Sequence, residues 1–516
     1  MTRNSRFLVA MLLGMTKRGS TSVFAALLAM TIVACGSDRG TGPVASGPAI
    51  LRITSGGSGT DTILSTLPQL LTVQVTDSAG HPFVGVVVRF DPAEIVDANG
   101  LTSSATMVYA APPDTGQRTV ELALRTDGQG RAQARVILGN KAGTGAMLIT
   151  VPDAGVQDTA RYVIKPGKPY RVRTTIADTA VLTGATFSMP VKVTDVYDNS
   201  ITDPPTFTVG PALVRVDANG TVTAGDQPGR GWVEARINGL ADTMLVSVVP
   251  HWTVAASVQT SDGFWSIVTS ALDGTNQRVV YRSGEATQWP RWSPAGDAIL
   301  YTENTDLGAR RLYVVTLDGA RRRLIASPPS TLHSEWLGSY SHDGQWIYFT
   351  SDSPDPLGWS GITGWRVHAD GTGAEQLLRP DQSVEGVYPG PSPDGTHYIA
   401  TRDGTLFIVD LATSAWDSLG VYGEEGQYSP AGDRIAFVQI RPGLAGPLFV
   451  MNADGSALRQ ITSDARPYGQ YEFGWSPDGQ FLIARGPDNL ELIRVSDGLI
   501  LPLPFSRPML QPALKP

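Results

Sequence analysis

Five short segments in the C-terminal half of this chain pair a carboxylate with an aromatic ring, and each lies just ahead of a serine-led turn. They hold Glu285 and Trp289; His333, Glu335 and Trp336; Glu385 and Tyr388; Tyr422, Glu424 and Glu425; and Tyr468, Tyr471 and Glu472. Aromatic faces attract cations and stack on apolar surfaces, while carboxylates add charge or accept hydrogen bonds. Gathered around one opening, these groups would form an acidic, aromatic-lined funnel for a protein, a cationic peptide segment or a glycan. A plainer reading competes with it. A glutamate four residues before the serine, as Glu425 and Glu472 are, belongs to the repeat and bonds to the backbone of the neighbouring unit. Glu285, Glu335 and Glu385 lie further upstream.

Nothing in the sequence is arranged for nucleophilic catalysis. There is no Gly-x-Ser-x-Gly elbow, and Gly358-Trp359-Ser360-Gly361 falls one residue short of it. The histidines His251, His333, His342, His368 and His397 lack the short spacing of a zinc motif. No catalytic residue, metal or cofactor is expected. The formal charge of −8 argues against nucleic acid, because phosphate binding needs a basic face.

The elements that carry these residues are repeats. Ten of the 11 tryptophans lie at or beyond Trp252. One repeated element is a turn led by Ser293, Ser341, Ser392, Ser429 and Ser476, as in Ser392-Pro393-Asp394-Gly395 and Ser476-Pro477-Asp478-Gly479. Pro at the second position and Gly at the fourth suit a type I β-turn. The other element is an Asp turn after a later strand, at Asp273, Asp318, Asp370, Asp410, Asp454 and Asp497. Six Asp turns against five Ser turns predict a six-bladed β-propeller over 251–516. The first blade lacks its own Ser turn, so the segment Met509–Leu514 is expected to supply or pin its missing strand. That closure would remove exposed sheet edges.

These repeats resemble TolB-like propellers, most closely from Leu448 to Ser456, at Gln460-Ile461-Thr462, and from Trp475 to Gly479. TolB is a soluble periplasmic partner of a peptidoglycan-associated lipoprotein and carries an α/β domain before its propeller. The resemblance implies the fold and a binding role. The segments before this propeller differ.

Upstream, short alternating apolar runs between turn residues read as antiparallel sandwiches. Over 48–165, Leu71-Thr72-Val73-Gln74-Val75, Val84–Phe90 and Thr126–Leu138 come in order, with Gly143–Val151 as the expected closing strand. This series resembles group 1, invasin-type, bacterial immunoglobulin-like (Big) domains. Over 166–250, Val191-Lys192-Val193-Thr194-Asp195 and Val216-Asp217-Ala218-Asn219-Gly220-Thr221-Val222-Thr223-Ala224 resemble the group 2 type. Such domains are usually spacers.

Residues 1–34 read as a lipoprotein signal peptide, starting at Met1 or Met15. Lys17-Arg18 precedes the apolar run Val23–Ala34, and Ile32-Val33-Ala34-Cys35 resembles a lipobox. Cys35 is therefore the expected lipidation site and membrane anchor, with 35–47 a flexible tether. Gly36 after the cysteine resembles an outer-membrane sorting signal. The protein reads as an all-β, non-enzymatic cell-envelope binding module. A metal-dependent polysaccharide lyase and an adhesin using the immunoglobulin-like domains are the alternatives.

Overall fold

The computed structural model describes residues 45–516 apart from 94, 97–101, 104–106, 115–116, 118, 120, 306–307, 327–333, 355–359, 378–389, 440–444, 470–471, 489 and 506–508. Cys35, His333, Glu385, Tyr388 and Tyr471 lie outside the described residues, as does the whole signal segment.

The described residues are built into β-strands. Near the N-terminus two sheets face each other across one apolar core that includes Leu71, Val73, Phe90, Val136, Met147 and Tyr162. Alternation decides which side chains enter that core. In the strand Arg131–Leu138 the residues Ala132, Ala134, Val136 and Leu138 are buried. The strand Gly143–Val151 does not close the unit. A Pro152–Ala154 turn, ended by Gly155 at φ 65°, folds the backbone back into a longer strand, Val156–Lys165. That strand also runs parallel to Ser58–Thr62. The aspartate, alanine and glycine of that turn have the composition of a linker, whereas they form a hairpin bend. A second core around Val193, Val222, Val233 and Val246 holds the strands from Arg171 to Val249.

From Thr253 onward, among the described residues, the strands form antiparallel sheets in sequence order, and most have four strands. The larger sheets are Thr253–Ser283, Thr287–Arg323, Trp336–Gln376, His397–Tyr422, Glu424–Gln460 and Phe473–Pro502, numbered I to VI here, and a small sheet pairs Ala445–Gly446 with Tyr468–Gly469. Sheet I takes its fourth strand from the far end of the sequence. Leu510–Leu514 pairs antiparallel with Thr253–Gln259, Val254 opposite Leu514 and Ala255 opposite Ala513. The first repeat lacks a Ser turn because its inner strand arrives last.

Each Ser turn enters a strand through the same local bonds. The Ser476 hydroxyl donates to Asp478 at 2.6 Å and accepts from the Phe481 N–H at 2.9 Å. Ser341 does the same with Asp343 and Trp346. In the Ala-Gly-Asp turns the carboxylate comes two residues later: Ser293 donates to Asp297 and Ser429 to Asp433, both at 2.7 Å. The fourth-position glycines, such as Gly479 at φ 66°, take the left-handed conformation in which a side chain would be strained.

The second unit joins the sheets through packing. Ala180 and Val249 share one buried cluster with Leu490, Leu492, Leu501 and Met509, and Leu182 packs against it.

Candidate functional site

The inner strands of sheets I, II, III, V and VI and the segment ahead of sheet IV line one channel, which holds an open cavity of about 420 Å³. Leu514, Arg291, Ser339, Gln427 and Trp475 come from sheets I, II, III, V and VI, and Gly390 from the segment ahead of sheet IV. The residue two before the turn serine recurs in this lining as Arg291, Ser339, Gly390 and Gln427. Two of these four are long and polar and two are small, so the channel is asymmetric in chemistry although repetitive in backbone. At the turn end, His342, Pro393, Pro430 and Pro477 form the rim.

A β-bulge sits at the same place in several inner strands. Trp289, Leu337, Glu425 and Gln511 all have φ between 52° and 59°, and the ladder slips at each of them. One extra residue re-aims the side chains on either side of it. Trp289, Leu337 and Glu425 thereby reach the channel lining. Trp289 and Trp336 also share a buried cluster with Leu337. The Arg310 guanidinium lies 5.7 Å from the Trp289 ring centroid and 5.2 Å from that of Trp336, both in cation–π range.

The anticipated carboxylates part company here. Glu335 is fully buried: it accepts from the Leu312 N–H of sheet II at 3.2 Å and pairs with Arg323 at 3.2 Å and Arg311 at 4.0 Å. Burial pushes its carboxyl above the ordinary range, and the Leu312 bond and the arginines hold it back. Glu472 accepts from the Gln511 N–H at 3.0 Å and faces Arg485 at 3.7 Å; burial raises it too. Both side chains are engaged in joining neighbouring sheets.

Glu425 remains in the channel wall, 1% exposed. Glu285 is half-buried and lies outside the cavity lining, as does the half-buried Glu424. Tyr468 is buried and donates to Glu491 at 2.8 Å, beside Arg466. Tyr422 is exposed and packs on Gly404, where its ring occupies the space a Cβ would need. Of the anticipated residues that the structure describes, then, Trp289 and Glu425 reach the cavity.

Arg291 and Gln427 were not anticipated. Their constant offset from the turn serine is the signal that would have found them. The Arg291 guanidinium donates to the carbonyl of Pro290 at 3.0 Å. Water touches it through the channel, but protein surrounds it. Desolvation lowers its pKa from the ordinary range, and the charge of Glu425 opposes that shift. Gln427 donates to the Phe473 carbonyl at 3.3 Å, and Trp475 donates to the Gln427 carbonyl at 3.0 Å. Among the described residues, no three histidine, cysteine, aspartate or glutamate side chains converge as a metal site.

No protein-family model matches the sequence. An uncharacterized protein of Agrobacterium fabrum is 28% identical over 176 residues, covering 30% of this chain and 55% of that protein. The Tol-Pal system protein TolB of Anaeromyxobacter dehalogenans (strain 2CP-C) is 30% identical over 152 residues, covering 28% of this chain and 32% of TolB. The chain thus spans about half the length of the first relative and about a third of the second. Among solved structures, TolB from Acinetobacter baumannii aligns with 61% of this chain and 83% of its own at 17% identity, with a TM-score of 0.44. The ring of sheets and the sequence similarity to TolB support a fold: a TolB-like β-propeller.

Proposed function

We propose that this chain is an exported cell-envelope lipoprotein, acylated at Cys35, whose six-bladed propeller over 251–516 is a non-enzymatic module that binds a protein partner in its central channel. The segments 48–165 and 166–250 serve as immunoglobulin-like spacers. The observation that carries the reading is the channel itself. Its cavity of about 420 Å³ falls within the range of ligand sites, and its walls combine apolar rings with a few convergent polar groups, Arg291, Gln427 and Ser339. The relatives named as Tol-Pal system proteins agree with a protein partner in the envelope.

The test is capture from solubilised envelope by the full-length protein, beside a Gly390→Trp variant. A Cβ at Gly390 meets nothing closer than 3.4 Å, so a large side chain there fills the channel with little backbone strain. A partner retained by the native protein and lost by the variant supports the reading. Equal retention moves the binding place off the channel. Labelling with radioactive palmitate, lost in Cys35→Ser, tests the anchor.

A further inference from the structure

Among the described residues of the channel wall, Arg291 is the one permanent cation. A guanidinium offers five N–H donors in a planar fork and does not deprotonate in proteins. Among the described residues, Arg291 donates one hydrogen bond, to the carbonyl of its own neighbour Pro290, and Glu425 acts on it as a charge. A cation held in that state is stabilised by any anion that completes its bonds, and a carboxylate takes two parallel N–H groups at once. Small residues at two of the equivalent positions, Ser339 and Gly390, leave room beside it.

We propose that the channel selects a carboxylate on an extended peptide segment, gripped two-pronged by Arg291; this rests on the channel-binding reading above. Aspartate, glutamate and the free C-terminus of a peptide share that chemistry. A uronic acid also carries a carboxylate, but its ring hydroxyls each need a partner once buried. Beyond Arg291, the cavity wall presents rings and aliphatic groups such as Trp289, Leu337 and Tyr340, with polar groups such as Ser339 and Gln427 among them. That surface suits the apolar side chains flanking an acidic peptide residue.

The test uses the full-length protein with labelled arginine, reading the Arg291 side-chain Nε–Hε signal by NMR and affinity by calorimetry. The probes are a blocked pentapeptide Gly-Leu-Glu-Leu-Gly, its Gln counterpart, that Gln peptide with a free C-terminal carboxylate, and digalacturonate. The Glu peptide, the free-carboxylate peptide or both should shift the Arg291 signal, while the blocked Gln peptide leaves it in place. Arg291→Gln should weaken binding on the order of tenfold to a hundredfold. Ser339→Asp, which puts a competing carboxylate on the same wall, should weaken it without removing the arginine.

Equal binding of the blocked Glu and Gln peptides, or undiminished binding to a folded R291Q, overturns carboxylate selection. If that binding is still lost in Gly390→Trp, the channel reading survives. Peptide binding that Gly390→Trp leaves intact sinks the channel reading instead. Binding of digalacturonate alone, or of no probe, overturns the peptide assignment.

Discussion

The side-chain oxygen of Gln511 accepts a hydrogen bond from the backbone N–H of Trp289 at 2.9 Å, although 222 residues separate the two. Both residues are buried and both hold left-handed φ values, 55° and 52°. The bond ties the last strand of the protein to the inner strand of sheet II. On the other side, the Gln511 N–H reaches Glu472, the residue that leads into sheet VI. One residue therefore joins the sheets that flank the closing strand.

Gln511→Ala should accordingly cost about 1–3 kcal/mol, because it removes the acceptor of a buried N–H. Thermal unfolding should show the loss as a lower Tm. Deleting 510–516 should be worse, since it bares the edge of Thr253–Gln259 to other molecules. Light scattering at modest temperature would report the resulting self-association.

The Ser turns predict a smaller and repeatable effect. Ser476→Ala leaves the Phe481 N–H and the Asp478 carboxylate without their shared hydroxyl. About 1–2 kcal/mol should be lost in urea unfolding. The same change at Ser341, in another sheet, should add to it nearly independently.

The pH dependence of stability has two arms of opposite sign. Hydrogen bonds hold Asp77, Asp394 and Asp497 down to about 2, so their stabilisation is lost as pH falls from the ordinary 3.8 towards 2. Burial raises Glu472, so the unfolded state releases that proton first, and stability falls as pH rises through and above the ordinary value of 4.5. Urea midpoints between pH 2.5 and pH 7 should therefore pass through a maximum in mild acid. Glu472→Gln keeps an acceptor for the Gln511 N–H and should make the upper arm, to which the buried Glu335 also contributes, shallower while leaving the lower one unchanged.

Packing between the second unit and sheet VI predicts coupled unfolding. Leu492 is fully buried in the cluster that also holds Ala180 and Val249. Arg494 of the same sheet donates to the Pro228 carbonyl at 3.4 Å. Leu492→Ala should cost about 2–5 kcal/mol. In calorimetry the strands from Arg171 to Val249 should melt together with the sheets that follow. Two separate endotherms, only one of them moved by the substitution, would count against this coupling.

What the residues declared in advance was local. The Ser and Asp turns could be read directly, because a turn is specified by four adjacent residues and a strand by alternation along itself. The sheet unit repeats them, and the absence of one Ser turn pointed to Met509–Leu514 as the missing strand. The bend at Asp153–Gly155 was not legible in this way, since a turn inside a hairpin and the start of a linker share one composition.

The lining of the channel was decided only in three dimensions. Side chains alternate with period two, so the single bulge residue at Trp289, Leu337 or Glu425 changes which neighbours face inward, and no composition marks it. Whether a glutamate points at solvent or at another sheet depends on a strand outside its own stretch of sequence. Glu472 meets Gln511 because the ring closes, Glu335 meets Leu312 because sheets II and III pack side by side, and Arg291 feels the charge of Glu425 across the channel wall. The sequence by itself determined the turns and the alternating strands. Only the closed ring determined which charges remain in the channel, because desolvation and pairing are properties of the surfaces that meet.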